Sequence, residues 1–340
     1  MSFLVGAERS GTTLLRFMLN GHPLLGWRNE FEYAVAGVTD DGKWPPLESY
    51  YRWLSRHRVF QASRLEIDKR LDYPDLVRSF LAQTQRYAGK PRVGATVHYG
   101  FEKLPFIWPD ALFIHIVRDV RDVARSNLAM AWSGNVWTAT ERWIEAEMAW
   151  DRLCASIPAS RRLELKYEEL VAQTVRVLER ICAFIGIPYD PAMLEYPRYC
   201  SLRPPDPTLI GRWRTTLSQR DVELIESRAA DVLLERGYAL SGLKRIRVEP
   251  WMRWRLRLDD RWGRIRARTR RYGLSLVVSD FLSRRLGLEA WQEGVSFRLN
   301  ALENAHIDPK PCCYDAFLRL RPRGIPASGG EDDPARLERA

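Results

Sequence analysis

Residues 3–15 read FLVGAERSGTTLL: an apolar run enters Gly6, four residues intervene before Gly11, and an apolar pattern of helical period follows. A strand, a glycine turn and a helix in that order form half of a parallel-sheet unit, because the helix must fold back over the strand it leaves. Leu14, Leu15, Met18 and Leu19 share one helix face, and Gly21, His22 and Pro23 stop the helix. Two more units repeat the scheme. ALFIHIV (111–117) suits a strand buried on both faces and leads into RDVRDVARSNLAMAW, a helix with Asp119 near its N-cap. RLELKY (162–167) precedes a helix whose Val177, Leu178, Ile181, Phe184 and Ile185 form a stripe closed by Gly186 and Pro188. Between them, Trp143, Ala146, Trp150 and Leu153 mark an amphipathic helix over residues 138–156. The alternation predicts an α/β chain: a P-loop-type three-layer fold with a mainly parallel central sheet flanked by helices, plus a mostly helical C-terminal extension.

The proline-rich YCSLRPPDPTLIGRW predicts an ordered loop or lid leading to a helix from Ser218. Three regions are expected: a main domain over 1–243, a basic Arg/Trp-rich helical extension over 244–322, and a disordered tail over 323–340. The net charge of +10 is concentrated, since residues 244–272 carry twelve Lys or Arg against three acids. Hydrophobic residues make up 46% of the chain, enough for a core, yet no apolar run reaches the length of about 18 residues that a bilayer span needs. With no room for a leader before the first strand, the expectation is a cytoplasmic protein. The five cysteines (154, 182, 200, 312 and 313) lack CxxC spacing and the five histidines are dispersed, so neither a disulfide framework nor a metal site is expected.

A glycine turn entering a helix offers backbone N–H groups and a positive dipole end to an anion. Nucleoside-triphosphate loops follow the second glycine with Lys and then Ser or Thr, whereas Thr12 and Thr13 stand here and Arg9 lies inside the turn. An arginine fork suits a single oxyanion better than the outer phosphates of Mg-ATP. The string GAERSGTTLLRFMLNGHPLL resembles the 5′-phosphosulfate loop of sulfotransferases, which use 3′-phosphoadenosine 5′-phosphosulfate (PAPS). IHIVRDVRDVARS resembles the same family's 3′-phosphate motif, with Ser126 eight residues after Arg118. The alternative for this run is a capping and salt-bridge cluster. LKYEELVAQ is similar to the segment whose tyrosine meets adenine, which places Tyr167 there, and LIGRWRTTLS resembles the late segment that closes over the 3′-phosphate, with Arg212, Trp213 and Arg214 as candidates. The resemblance covers residues 3–240 and implies PAPS as co-substrate, held by Arg9, Ser10, Gly11, Thr12, Thr13, Arg118, Ser126, Tyr167, Arg212 and Trp213, with no metal.

Sulfuryl transfer needs a base for the acceptor hydroxyl and cations for the developing charge. In the tyrosylprotein branch and its bacterial relatives, which this chain resembles, the base is a Glu twenty-one residues beyond the loop Arg. That count gives Glu30, with Glu32 in reserve; the alternative is that either carboxylate caps a helix beginning near Phe31. The tyrosylprotein enzymes carry Arg at the position of Glu32, which argues against a peptide tyrosine as acceptor. Relatives also carry a lysine for the bridging oxygen where Thr96 stands here; His98 is the expected substitute, and Lys103 a more distant one.

The expected activity is therefore transfer from PAPS to a hydroxyl of a saccharide, glycolipid or small metabolite, with Trp132 and Trp137 as a stacking surface for the acceptor. The alternatives are a P-loop nucleotide kinase or NTPase-like enzyme, or a non-catalytic anion- or lipid-docking module on the same fold. The basic, Trp-bearing 244–272 stretch predicts either packing on the domain or peripheral contact with an anionic inner-membrane surface. No nucleic-acid motif accompanies the charge, and no nucleic-acid partner is expected.

Overall fold

The computed structural model describes residues 1–200 and 202–307. Five strands form one sheet: β1 (Ser2–Val5), β2 (Leu25–Arg28), β3 (Arg92–Val97), β4 (Leu112–Val117) and β5 (Arg162–Lys166). Their spatial order is β2-β3-β1-β4-β5 and every pairing is parallel. Alternate residues of β1 and β4 point to opposite faces. Phe3, Val5 and Phe113 join a core with Phe80 of the helix Tyr73–Ala88 and with Trp150 and Leu153 of the helix Val136–Ser156. Leu4, Ile114 and Ile116 join a second core with Leu15 and Met18 of the helix Thr12–Gly21 and with Leu178 and Ile181 of the helix Thr174–Ile185. Helices on both faces of a parallel sheet give the expected three layers.

The strands β2 and β3 are not among those predicted. LGWR has no period of its own, and tertiary contacts hold it in place. The Trp27 N–H donates to Asn20 Oδ1 (2.8 Å) and its indole Nε1–H to Thr96 Oγ1 (3.0 Å). Buried Lys90 donates through Nζ to the carbonyls of Asn20 and Leu25, and burial presses its pKa down to about 8. On the other side of the sheet, His115 lies fully buried against Trp150, with Glu147 and Glu164 at 3.4 and 3.2 Å. Burial alone would discharge the ring, but the two carboxylates outweigh it and raise its pKa.

The predicted lid, entered from the 3-10 turn Tyr196–Arg198, holds the short 3-10 turn Pro207–Leu209 and leads into the one-turn helix Trp213–Thr216, and Ser218 caps the helix Gln219–Glu235. The extension forms the helices Pro250–Tyr272, Leu274–Leu286 and Glu289–Ile307. The last of these returns to the main body, where Glu293 pairs with Arg56 (2.9 Å). Among the described residues no helix is long and apolar enough to cross a membrane. The rest of the predicted extension, the predicted tail and two of the five cysteines lie outside the described residues.

Candidate active site

All five strands end at one edge, and each is followed at once by a candidate residue. The turn Gly6–Gly11 follows β1, Glu30 and Glu32 follow β2, His98 follows β3, Arg118 follows β4 and Tyr167 follows β5. The carboxyl edge of an open parallel sheet is where such folds bind ligands.

The turn is strained into left-handed backbone at Arg9 (φ 71°) and Gly11 (φ 98°). A side chain at Gly11 would stand 2.3 Å from the Tyr167 ring, so only glycine fits. Gly11 caps the helix Thr12–Gly21 without a side-chain hydrogen bond, and the first helical turn holds no acid. The helix therefore presents its first N–H groups and its positive end outward. Ser10 Oγ is buried and has no hydrogen-bond partner among the described residues. Thr13 lies beside Thr12 and is exposed.

The two expected phosphate motifs meet. Arg9 Nε donates to Ser126 Oγ at 3.0 Å, and the guanidinium lies 5.3 Å from the Trp132 ring. Arg118 donates to the carbonyls of Arg9 (3.3 Å) and Leu209 (3.1 Å) and stacks 4.1 Å over Tyr167. Its buried Nε has no partner among the described residues. Burial, and after it the charge of Arg118, lower the pKa of Arg9 against the opposing pull of Glu8.

The alternative reading of the 118–122 run holds for its other members. Arg121 pairs with Asp119 (2.7 Å) and Glu226 (2.7 Å), and Asp119 caps its helix through the Arg121 N–H. Asp122 accepts the N–H groups of Gly211 (2.7 Å) and Trp213 (2.9 Å). The Trp213 ring is taken up between Arg121 (4.0 Å) and Arg214 (4.4 Å), so it anchors the lid, and Arg212 is exposed beside it. Trp137 is likewise occupied, by Arg228 at 4.4 Å.

At the other end of the turn, Thr12 Oγ1 lies 3.1 Å from His98 Nε2. His98 Nδ1 is 2.6 Å from Glu32 Oε1, and the same oxygen accepts the His98 backbone N–H at 3.0 Å. Burial would lower the pKa of this imidazole, but Glu32, aided by Glu8 and Glu30, overrides it and raises it. The 3-10 turn Glu32–Ala34 has no side-chain cap, so Glu32 serves His98 and not a helix. Glu30 lies 3.4 Å from Arg58 and remains partly exposed. Thr96, at the place of the family lysine, is buried and engaged by Trp27, and Lys103 is held by Val38 O and Asp40.

Sequence reasoning missed a cleft of about 580 Å3 beside His98, whose lining includes Glu8, Tyr99, Glu102, Arg142, Glu145 and Arg152. Partial loss of water, and then the negative field of Glu32, Glu8 and Glu30, raise the pKa of Tyr99, although the residue as a whole is 57% exposed. These residues come from three separate stretches, Glu8, Tyr99 with Glu102, and one helix that carries Arg142, Glu145 and Arg152, so no single run of sequence pointed to the cleft.

The chain is similar to several known proteins. A relative from Caenorhabditis briggsae is 24% identical over 205 residues, which are 57% of this chain and 68% of its own length. Protein-tyrosine sulfotransferase A of Caenorhabditis elegans is 22% identical over 205 residues, 57% of this chain and 52% of that protein, so the chain spans about half the length of the latter. Among solved structures, the sulfotransferase domain of the Synechococcus PCC 7002 olefin synthase is 21% identical, with a TM-score of 0.47 over 67% of this chain and 94% of that one. A mouse sulfotransferase in complex with PAP is 18% identical, with a TM-score of 0.41 over 69% and 86% of the two chains. The family model described as "Sulfotransferase family" matches residues 2–191, a span that holds all five strands and every candidate residue except Arg212, Trp213 and Arg214. That match covers more than half of the 340 residues, and the chain belongs to the sulfotransferase family.

Proposed function

We propose that the protein transfers a sulfuryl group from PAPS to a hydroxyl of a small-molecule or saccharide acceptor. The observation that carries this reading is the meeting of Arg9 with Ser126 at 3.0 Å, with Arg118 alongside, at an uncapped helix N-terminus. Two anion cradles on neighbouring strands suit a nucleoside with a phosphate at each end. The unpartnered Ser10 Oγ and Arg118 Nε fit such a ligand. In this reading the turn amides, Arg9, Ser10, Thr12 and Thr13 hold the 5′-phosphosulfate, Arg118 and Ser126 hold the 3′-phosphate, and Tyr167 meets the adenine. Arg212 and Trp213 close the edge.

PAPS supplies an activated sulfur–oxygen bond. Glu30 accepts the acceptor's hydroxyl proton as that oxygen bonds to sulfur and the bridging S–O bond breaks, leaving the electron pair on the phosphate oxygen. His98, kept protonated by Glu32, donates a hydrogen bond toward that oxygen and replaces the cation absent at Thr96; Arg9 offsets the remaining charge. The cleft beside His98 gives the acceptor its place. The scheme uses no metal. Transfer of labelled sulfate from PAPS to a panel of glycans, glycolipids and small alcohols tests it. Glu30→Gln should leave nucleotide affinity intact and reduce turnover by about 10²–10⁴-fold; near-normal turnover in that variant would sink the base assignment.

A further inference from the structure

The helix Pro250–Tyr272 is fixed to the main body by one face only. Met252 and Leu256 pack against the core that includes Val123 and Ile225. Asp260, 3% exposed, accepts the Gly134 N–H at 2.7 Å, and Asn135 Nδ2 donates to the Leu256 carbonyl at 2.6 Å. At 100° per residue, Trp251, Trp254, Leu258, Trp262 and Ile265 fall on the opposite side within an arc of about 80°. They form a straight stripe about 20 Å long. Trp251, Trp254 and Trp262 are 65%, 65% and 68% exposed. Tryptophan at such exposure, three times along one line, is not core packing.

The same projection places Arg255 and Arg266 along one border of the stripe and Arg257 and Arg261 along the other. All four are exposed, and none has a carboxylate partner among the described residues. The helix carries nine arginines against two acids, and one of those acids is the inward-facing Asp260. The next helix leaves Leu274, Phe281 and Leu286 exposed as well, at 65%, 54% and 61%.

We propose that this face is a docking surface for an anionic phospholipid bilayer. An apolar ridge lined on both sides by guanidinium groups needs a partner that is flat, apolar below its surface and negatively charged at it, and a bilayer of acidic lipids is all three. The indoles would sit at the boundary between headgroups and acyl chains, each N–H toward water, with the arginines on lipid phosphates. A second copy of the chain is disfavoured, because a two-fold contact through the stripe brings arginine borders against each other. The inference stands apart from the transferase reading: it concerns another face of the molecule and would hold even if no sulfuryl group were moved.

The test is flotation of the full chain with vesicles of phosphatidylcholine alone or mixed with phosphatidylserine, at low and high salt. The protein should rise only with the acidic vesicles and be released by salt. Trp254→Ala with Trp262→Ala, both on exposed positions, should abolish flotation while leaving the thermal midpoint and the affinity for 3′-phosphoadenosine 5′-phosphate unchanged. Arg255→Gln and Arg266→Gln should each weaken binding about fivefold. No flotation at low salt would overturn the proposal, as would full flotation of the double tryptophan variant. Tighter binding to duplex DNA than to the acidic vesicles at equal salt, or a dimer that dissolves in the tryptophan variant without any vesicle binding, would do the same.

Discussion

His98 is where burial and charge oppose each other most directly. Its side chain is largely buried, 11% exposed, yet Glu32 at 2.6 Å favours its protonated form. The folded ring therefore binds the proton more tightly than the unfolded ring, whose value is about 6.5. Its contribution to stability is complete below that value and is lost as pH rises through the higher folded value. Comparing thermal midpoints, His98→Gln should cost more at about pH 6 than at about pH 9; an equal cost at both would contradict a protonated ring. Turnover should fall along the same alkaline limb, and Glu32→Gln should move that limb toward lower pH in a rate profile. Gly11 makes a steric prediction: Gly11→Ala drives a Cβ into Tyr167 at a left-handed φ, and should lower stability by about 1–3 kcal/mol and weaken nucleotide binding by calorimetry. Arg9 and Arg118 were legible because each stands at a fixed place in a contiguous motif. The Glu32–His98 pair was not, since the partners lie 66 positions apart and only the β2–β3 neighbourhood brings them together.

At the scale of elements, the segment 207–216 is tied at its far end by Asp122, while Arg118 holds the Leu209 carbonyl. Asp122 receives two lid N–H groups, and Trp213 fills the space between Arg121 and Arg214. Asp122→Ala leaves both donors unpaired, a loss of about 1–3 kcal/mol confined to the lid. Hydrogen exchange should quicken at Gly211 and Trp213 while the amides of β1 and β4 stay protected; unchanged exchange at Gly211 would contradict the tether. The sequence showed β1 and β4 because apolar runs of strand length stand out before glycine or a helix cap, and β5 because RLELK alternates charged and apolar residues. It hid β2 and β3. LGWR is stabilised by Asn20, Lys90 and Thr96 and by no pattern of its own. The cap residues Asp119 and Ser218 and the stop at Gly186 were readable because capping is local chemistry.

Over the whole molecule, one sheet edge gathers the turn, the acids, the imidazole, the second arginine and the tyrosine, one from the end of each strand, while the basic helix lies on the body's outer surface. Strand order alone brings about that gathering, and it could be inferred from the sequence only once two motifs were assigned to neighbouring strands. The central claim is that two cradles grip a nucleoside carrying a phosphate at each end. Isothermal titration with 3′-phosphoadenosine 5′-phosphate and with AMP, without metal, tests it most directly on the native protein, Arg118→Ala and Ser126→Ala. The account predicts one-to-one binding of the bisphosphate, far tighter than AMP, with that preference lost in both variants. Equal affinity for the two ligands, or binding of Mg-ATP in place of either, would contradict it.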